Sequence, residues 1–397
     1  MWNPSRRSFL AAAAGLPAGL TRAAEMRGAM KITAVETDLL RLPPGRLQSD
    51  AIHTFGPERG GVVLRIRTDA GITGWGYSSF GMVGGGPRVV QTILEQEVKP
   101  VLLGKDPAFP KRLRADLWRA LEYHGVQGVT HFAIAAADIA IWDILGKAAG
   151  LPVYKMLGAY RERMPAYAMC GWYYEEKGNS LDEYRRAIER HLEEGFLAIK
   201  MKTGRGSIEE DVERIRVAQE LCGKHRRVMV DANQGLNRNE ALRRGRVYQQ
   251  MDCFWYEEPL PPHDKDGYAE LARELDIRIA TGENEYTKYA FADLIARKAC
   301  DVVQPDNRRA GGVTEWMEIA ALADAHGLEL ASHGGGPTNM HMLLAMPNAI
   351  YIETGSLRGD STHLEALRMK EGEILAPESP GMGSELRADY IKRYKVG

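Results

Sequence analysis

A (β/α)₈ barrel joined to an N-terminal α+β capping domain is the fold this sequence predicts, and three observations carry it. Apolar strand-like segments alternate with helical ones eight times between residues 166 and 352. Three strand-like segments followed by helices come before that alternation, over residues 30–150. A tail, residues 356–397, falls outside the alternation and is expected to pack back on the first domain and complete it. An open doubly wound sheet is the alternative. It favours a Gly-rich phosphate loop after its first strand, and none is visible.

Residues 1–29 read as an export leader. Ser5-Arg6-Arg7-Ser8-Phe9-Leu10 runs into an Ala/Gly/Leu stretch, and Thr21-Arg22-Ala23 offers small residues for cleavage, a pattern similar to a twin-arginine signal peptide. That reading places the mature protein in the periplasm, whereas a start at Met30-Lys31-Ile32-Thr33 leaves it in the cytoplasm. The apolar run is broken by Pro17 and is too short to span a bilayer.

In the capping domain, strands are expected at 32–40, 61–67 and 71–77, with Asp69-Ala70-Gly71 as a hairpin turn. Helical periodicity follows at 89–98 and 110–121, then in a largely apolar helix at 128–149. Pro110 suits a first helical turn, where its missing N–H has no partner to lose. The barrel is expected over 151–355, with strands at 166–170, 198–201, 227–230, 253–256, 277–280, 302–304, 328–331 and 349–352. Helical segments between them include 181–194, 208–221, 238–251 and 313–326.

Composition narrows the partners. Fifty-two basic and fifty-three acidic residues give a formal charge of −1, so no single-sign field points to nucleic acid or an anionic membrane. A small molecule is the partner this balance favours. Hydrophobic residues at 44% and charged residues at 26% fit a globular chain. The cysteines (Cys170, Cys222, Cys253 and Cys300) are too dispersed for a C-x-x-C zinc or redox site, and read as buried thiols.

Barrel chemistry sits at the C-terminal ends of the strands. The second strand ends in Lys200-Met201-Lys202, the third in Asp231-Ala232-Asn233 and the fourth in Glu257-Glu258-Pro259. The fifth ends in Gly282-Glu283-Asn284, the sixth in Asp306-Asn307, the seventh in Ser332-His333 and the eighth in Glu353. Asp231, Glu257 and Glu283 each stand 26 residues from the next, one β/α unit, so they can converge from adjacent strands. Clustered carboxylates repel unless a cation sits among them. Hard oxygen ligands suit Mg²⁺, with Mn²⁺ as the other candidate. Of Glu257 and Glu258, the strand period of two turns only one inward, and Glu257 shares its face with Trp255 and Cys253.

The same period projects Lys200 and Lys202 into the barrel mouth together, and a lysine beside a second cation gives up its proton more easily and can act as a base. Asp306 and His333 end adjacent strands. A carboxylate bonded to one imidazole nitrogen fixes the tautomer and raises basicity at the other. Glu353 can donate to or accept from a developing enolate oxygen. Asn233, at the third strand end, and Arg308, just past the sixth with Arg309, are candidate substrate contacts.

These residues, in this order and spacing, resemble the enolase superfamily, and within it the mandelate racemase subgroup. The resemblance spans nearly the whole chain after residue 30. It implies that Asp231, Glu257 and Glu283 ligate Mg²⁺ and that Lys202 is one acid/base with Lys200 as its modulator. It also implies that the His333–Asp306 dyad is the other base, with Glu353 as hydrogen-bond donor to the intermediate. The handedness of the chemistry follows: two bases facing an α-carbon allow racemisation or epimerisation, or elimination of a β-hydroxyl as water to give a 2-keto-3-deoxy acid. The resemblance favours dehydration of an aldonate or aldarate. Ser49-Asp50-Ala51-Ile52-His53, with Gly76-Tyr77, also looks like members that cycloisomerise an anhydro-sugar acid. By the same resemblance Asp50, His53, Tyr77 and the glycine-rich loop 80–86 belong to the substrate-facing cap, and a homo-oligomer, from dimer to octamer, is implied. Gly334-Gly335-Gly336 departs from the bulkier residues of related chains and leaves the wall beside His333 open. A non-catalytic sugar-acid binding protein would lack a base or a ligand, and a structural metalloprotein has no use for paired lysines. Every expected position is filled.

Overall fold

The structure is a computed structural model that describes residues 30–45, 47–56, 59–78, 85–173, 181–358 and 361–396. The expected leader at 1–29 and residues 80–84 of the glycine-rich loop lie outside them.

Alternating apolar residues build the cap sheet. β1 (Ile32–Leu42) precedes a short hairpin of β2 (Gln48–Ser49) and β3 (Thr54–Phe55), then β4 (Arg59–Thr68) and β5 (Thr73–Ser78), and the antiparallel sheet runs β1-β4-β5. Val62, Leu64 and Ile66 face the cap helices, as the strand period requires. The first of these, α1 (Gly86–Ile93), runs into a π-helical turn at Leu94–Val98, so the segment expected as one regular helix changes its winding midway. The others are α2 (Pro110–Leu121) and α3 (Val129–Ala149).

Apolar all round, α3 is long enough to cross a bilayer by composition, yet 83% of its most apolar window is buried inside the fold. One side lies on β5 so closely that a Cβ at Gly76 would sit 2.0 Å from the Ala136 carbonyl oxygen, which is why glycine stands there. Its Asp138 receives Thr314 N at 2.9 Å and Thr314 Oγ1 at 2.6 Å from the barrel, so the same helix seats the cap on the second domain.

Eight parallel strands then close on themselves: β6 (Arg163–Cys170), β7 (Ala198–Lys202), β8 (Arg227–Asp231), β9 (Trp255–Glu257), β10 (Arg278–Thr281), β11 (Val302–Val303), β12 (Glu329–Ala331) and β13 (Ala349–Thr354). β13 pairs with β6 to complete the ring. The helices expected at 181–194, 208–221, 238–251 and 313–326 form as α4 (Leu181–Glu193), α5 (Ile208–Cys222), α6 (Arg238–Gln250) and, further on, Val313–Ala325. The barrel lumen is filled by Tyr167, Ala198, Met229, Trp255, Ala280, Val302 and Ala331, one inward residue from each of seven strands. This plug is the floor of the mouth above it.

The tail divides its contacts. A strand at Glu373–Leu375 pairs antiparallel with the start of β6, while Leu386 and Ile391 join Leu40 and Val63 in a small cluster on the cap sheet. Lys395 reaches Asp38 at 2.6 Å. The tail therefore bridges barrel and cap, where the sequence suggested the cap alone.

His131 on α3 is fully buried, edge-on to Trp118 and Tyr286 at 5.5 Å each. Burial, reinforced by Arg114, pushes its imidazole down to about 4. An unfolded histidine titrates near 6.5, so between those values the unfolded chain binds more protons. The stability this residue contributes is present above about pH 6.5 and is lost as pH falls toward 4, on the order of 3 kcal/mol. His131→Phe is expected to flatten the pH dependence of the urea midpoint across that window. An unchanged slope would exclude His131 as its source.

Candidate active site

The strand register sets the site. Lys202 aligns with Asp231, and Asp231 with Glu257, so three ionisable residues stand in one row across β7, β8 and β9. Glu283 follows β10 through Gly282, whose φ of +129° and whose position against Phe291, 2.8 Å from a would-be Cβ, admit only glycine. Past the strand ends Asn233, Gln234, Glu258 and Thr287 also take left-handed φ values between 38° and 66°. Such backbone is costly for residues with a Cβ and collects at functional sites.

Lys200 is the hub of the mouth. Only 1% exposed, its Nζ donates to Glu353 Oε2 at 2.8 Å and to Glu257 Oε1, and lies 3.6 Å from Asp231 Oδ2. Lys202 Nζ donates to Asp231 Oδ2 at 2.7 Å. Burial alone would lower both lysines, but the surrounding carboxylates outweigh it and hold both above the ordinary lysine value. Within that balance Lys200 still draws Lys202 down, the effect expected of a paired cation.

The carboxylates are in surplus. Glu257 is pushed up to about 7 by burial, opposed by Lys200 and aided by repulsion from Asp231, Glu353 and Glu283. Glu258, expected to face away, is also fully buried. Its left-handed backbone turns it to receive Asn284 Nδ2 at 2.9 Å and Gln234 Nε2 at 3.1 Å, and burial with Glu283 and Asp231 drives it well above the usual carboxylate range. Glu353 escapes: although burial would raise it, Lys200 draws it down to about 2. So held, Glu353 is an ionised acceptor from Lys200 and Tyr167, and the donor role the resemblance implied requires it to take a proton first.

Across the mouth His333 Nδ1 lies 2.7 Å from Asp306 Oδ2, and its Nε2 lies 3.3 Å from Glu283 Oε2. Asp306 is fully buried and receives the backbone N–H groups of Arg308 and Arg309 at 2.8 and 3.1 Å. Burial would raise it, yet Arg308 and His333 hold it well below the carboxylate range. Burial would likewise lower His333, but Glu283 and Asp306 keep it above its ordinary value.

Three of the expected substrate contacts have partners within the fold. Arg308 folds back on Asp306, donating from Nε to Oδ1 at 3.1 Å, because a guanidinium next to a buried carboxylate gains more there than in water. Asp50 receives Ile52 N at 2.9 Å, His53 N at 2.7 Å and His53 Nδ1 at 3.0 Å, so its carboxylate shapes the β2–β3 hairpin and aims His53. Tyr77 packs on the cap cluster of Leu40 and Val63. His53 remains half-exposed. Asn233 donates its N–H to Asp231 Oδ1 at 2.9 Å, while its buried Oδ1 has no hydrogen-bond partner among the described residues.

Reading strand ends alone missed the layer beneath. Tyr167 donates its hydroxyl to Glu353 Oε2 at 2.7 Å, and Gln304 donates Nε2 to Glu257 Oε2 at 2.9 Å. Both are buried at inward positions of β6 and just past β11, and the period of two counted back from Met169 or on from Val302 would have found them.

As the side chains stand, no group of three or more His, Cys, Asp or Glu among the described residues is gathered closely enough to grip a metal ion. The lysine ammonium groups take the oxygens instead. The donor set nevertheless suits a hard dication: Asp231, Glu257 and Glu283 are oxygen donors from consecutive strands, and Asp231 and Glu283 both add to the burial that raises Glu257.

Residues 183–390 match the enolase C-terminal domain-like family and residues 35–158 the mandelate racemase / muconate lactonizing enzyme N-terminal domain. The chain belongs to the mandelate racemase / muconate lactonizing enzyme family. It is 34% identical over 371 residues to 3,6-anhydro-alpha-L-galactonate cycloisomerase of Streptomyces coelicolor, covering 92% of this chain and 100% of that protein. It is 32% identical over 342 residues to arabinonate dehydratase of Saccharolobus solfataricus, covering 84% and 90%. The crystal structure of L-talarate/galactarate dehydratase from Salmonella typhimurium LT2, liganded with Mg and L-lyxarohydroxamate, superposes with a TM-score of 0.85 at 31% identity, covering 94% and 95%. The family expectation and the barrel-plus-cap fold both stand.

Removing the hub should expose the charge surplus. Lys200→Met is expected to cost about 3–5 kcal/mol in chemical unfolding, because it leaves buried carboxylates unpaired. A loss below about 1 kcal/mol would show that Lys200 is not their counter-charge.

Proposed function

We propose that this enzyme abstracts the proton α to the carboxylate of an acid sugar and eliminates the β-hydroxyl as water, giving a 2-keto-3-deoxy acid. The single observation behind this reading is the pairing across one barrel mouth of Lys202 on β7 with the Asp306–His333 dyad beside β12, flanking a surplus of carboxylates. Asp231, Glu257 and Glu283 would hold Mg²⁺, which supplies the positive charge that makes a carbanion next to a carboxylate tolerable.

The chain's own residues divide the remaining work. Lys202 or His333, whichever faces the α-hydrogen, takes it as the C–H bond breaks. The group on the opposite side gives a proton to the departing β-hydroxyl, so water leaves and the enol relaxes to the ketone. Asp306 holds the His333 ring by Nδ1 and leaves Nε2 to the substrate. Lys200 keeps Glu353 and Glu257 apart and oriented. Asn233 Oδ1 is placed to accept from a substrate hydroxyl.

Cycloisomerisation is the second reading, favoured by the whole-length similarity to the Streptomyces cycloisomerase. There the same proton abstraction opens a ring ether instead of expelling water.

Aldonates, aldarates and anhydro-sugar acids incubated in D₂O are expected to exchange the α-proton with Mg²⁺ and not with chelator, followed by NMR. Both reactions end in a 2-keto-3-deoxy acid: dehydration forms it from an open-chain acid with loss of water, and cycloisomerisation forms it from an anhydro-sugar acid with no water lost. Lys202→Ala and His333→Asn are each expected to lower turnover by about 10²–10⁴-fold. Full activity in both variants would remove the two-base assignment.

A further inference from the structure

We infer that Trp172 is a positioning residue for Lys202, and that the cap hairpin braces it through Phe55. The inference rests on the two-base reading above and adds to it a residue that sequence reading did not single out.

Trp172 lies just past the end of β6, half-buried, with Lys202 Nζ 4.7 Å from its ring centroid. The other contact of that ammonium is Asp231 Oδ2 at 2.7 Å. A lysine side chain held at one carboxylate keeps its torsional freedom, whereas a flat π face on a second side restricts where the ammonium can point. Asp231 would be drawn toward a cation during turnover, which leaves the indole as the contact that persists. His333 is held quite differently, by Asp306 through its ring nitrogen. Trp172 thus bears on one base and not on the other.

The indole is itself braced from the cap. Phe55 on β3 meets Trp172 edge-on, with centroids 5.5 Å apart and planes at 84°. The hairpin carrying Phe55 is pinned to the residue after Trp172, since Ser49 N donates to Tyr173 O at 2.7 Å and Tyr173 N to Ser49 O at 3.0 Å. It is tied also to the loop after Lys202, where Arg205 Nη1 donates to Asp50 O at 3.2 Å. His53 stacks on Phe55 with centroids 5.7 Å apart, so an aromatic series runs from a half-exposed cap residue to Lys202. The hydrogen bonds hold the hairpin to the barrel, and the aromatic series carries its position on to the lysine.

The test compares Trp172→Leu, Trp172→Phe and Phe55→Leu in the Mg²⁺-loaded enzyme, reading α-proton exchange into D₂O with substrate epimers that present the hydrogen to either face. Trp172→Leu is expected to slow exchange on the lysine side by about tenfold or more, with KM and histidine-side exchange held within about threefold. Trp172→Phe is expected to recover most of the loss, and Phe55→Leu to show a smaller loss on the same side. Equal losses on both faces, or none on the lysine side, would overturn the inference. If Trp172→Leu fails to fold, an unchanged face ratio in Phe55→Leu would overturn it instead. Absence of exchange with either epimer in the unmodified enzyme would remove the two-base reading itself, a result distinct from symmetric loss in the variants.

Discussion

Too many carboxylates share one dry pocket, and that excess of negative charge governs the rest of the molecule. Asp231, Glu257, Glu258, Glu283 and Glu353 all lie at the barrel mouth, each under a tenth exposed. Two lysines and an imidazole face them. Left alone, such a cluster would protonate or push apart. It does neither completely, because Lys200 meets Asp231, Glu257 and Glu353 at once, Gln304 adds a neutral donor to Glu257, and Asn284 and Gln234 supply neutral donors to Glu258, Asn284 reaching Glu283 as well. A dication among Asp231, Glu257 and Glu283 would relieve the repulsion that remains.

Holding that charge requires a rigid frame. The lumen plug from Tyr167 to Ala331 closes the barrel below the mouth, so water cannot reach the carboxylates from beneath. Tyr167 serves both layers: its ring fills the lumen and its hydroxyl fixes Glu353. Above, left-handed backbone at Asn233, Gln234, Glu258 and Thr287 bends the loops back over the strands. Strain of that kind persists only where surrounding contacts over-determine it. Here the contacts come from the mouth itself, since Glu258 receives Gln234 and Asn284 from the neighbouring loops.

The cap is more than a cover. Through α3 it is bolted to the barrel at Asp138–Thr314, and through the β2–β3 hairpin it touches the rim on the lysine side. The tail adds a third tie by pairing with β6 and packing under β1. Of these joints the hairpin lies nearest the chemistry, tied through Arg205 to the loop after Lys202.

Periodicity alone determined a great deal. The eight strands, their helices and the ranked polar residues at the strand ends follow from spacing of two and 3.6, and from intervals that match one β/α unit. Lys200, Lys202, Asp231, Glu257, Glu283, Asp306 and His333 were legible because strand ends in such a barrel have one place to point. The tertiary structure decided what local pattern cannot encode. Arg308 lies on Asp306 and Asp50 on the backbone of its own hairpin, pairings that no strand-end pattern announces. Glu258 turned inward because its backbone left the strand conformation. Trp172 meets Lys202 because strands adjacent in the ring bring together residues 30 positions apart in the chain. Which polar group is spent on the protein, and which is left for a substrate, is settled by distances between elements. Those distances exist only once the ring has closed.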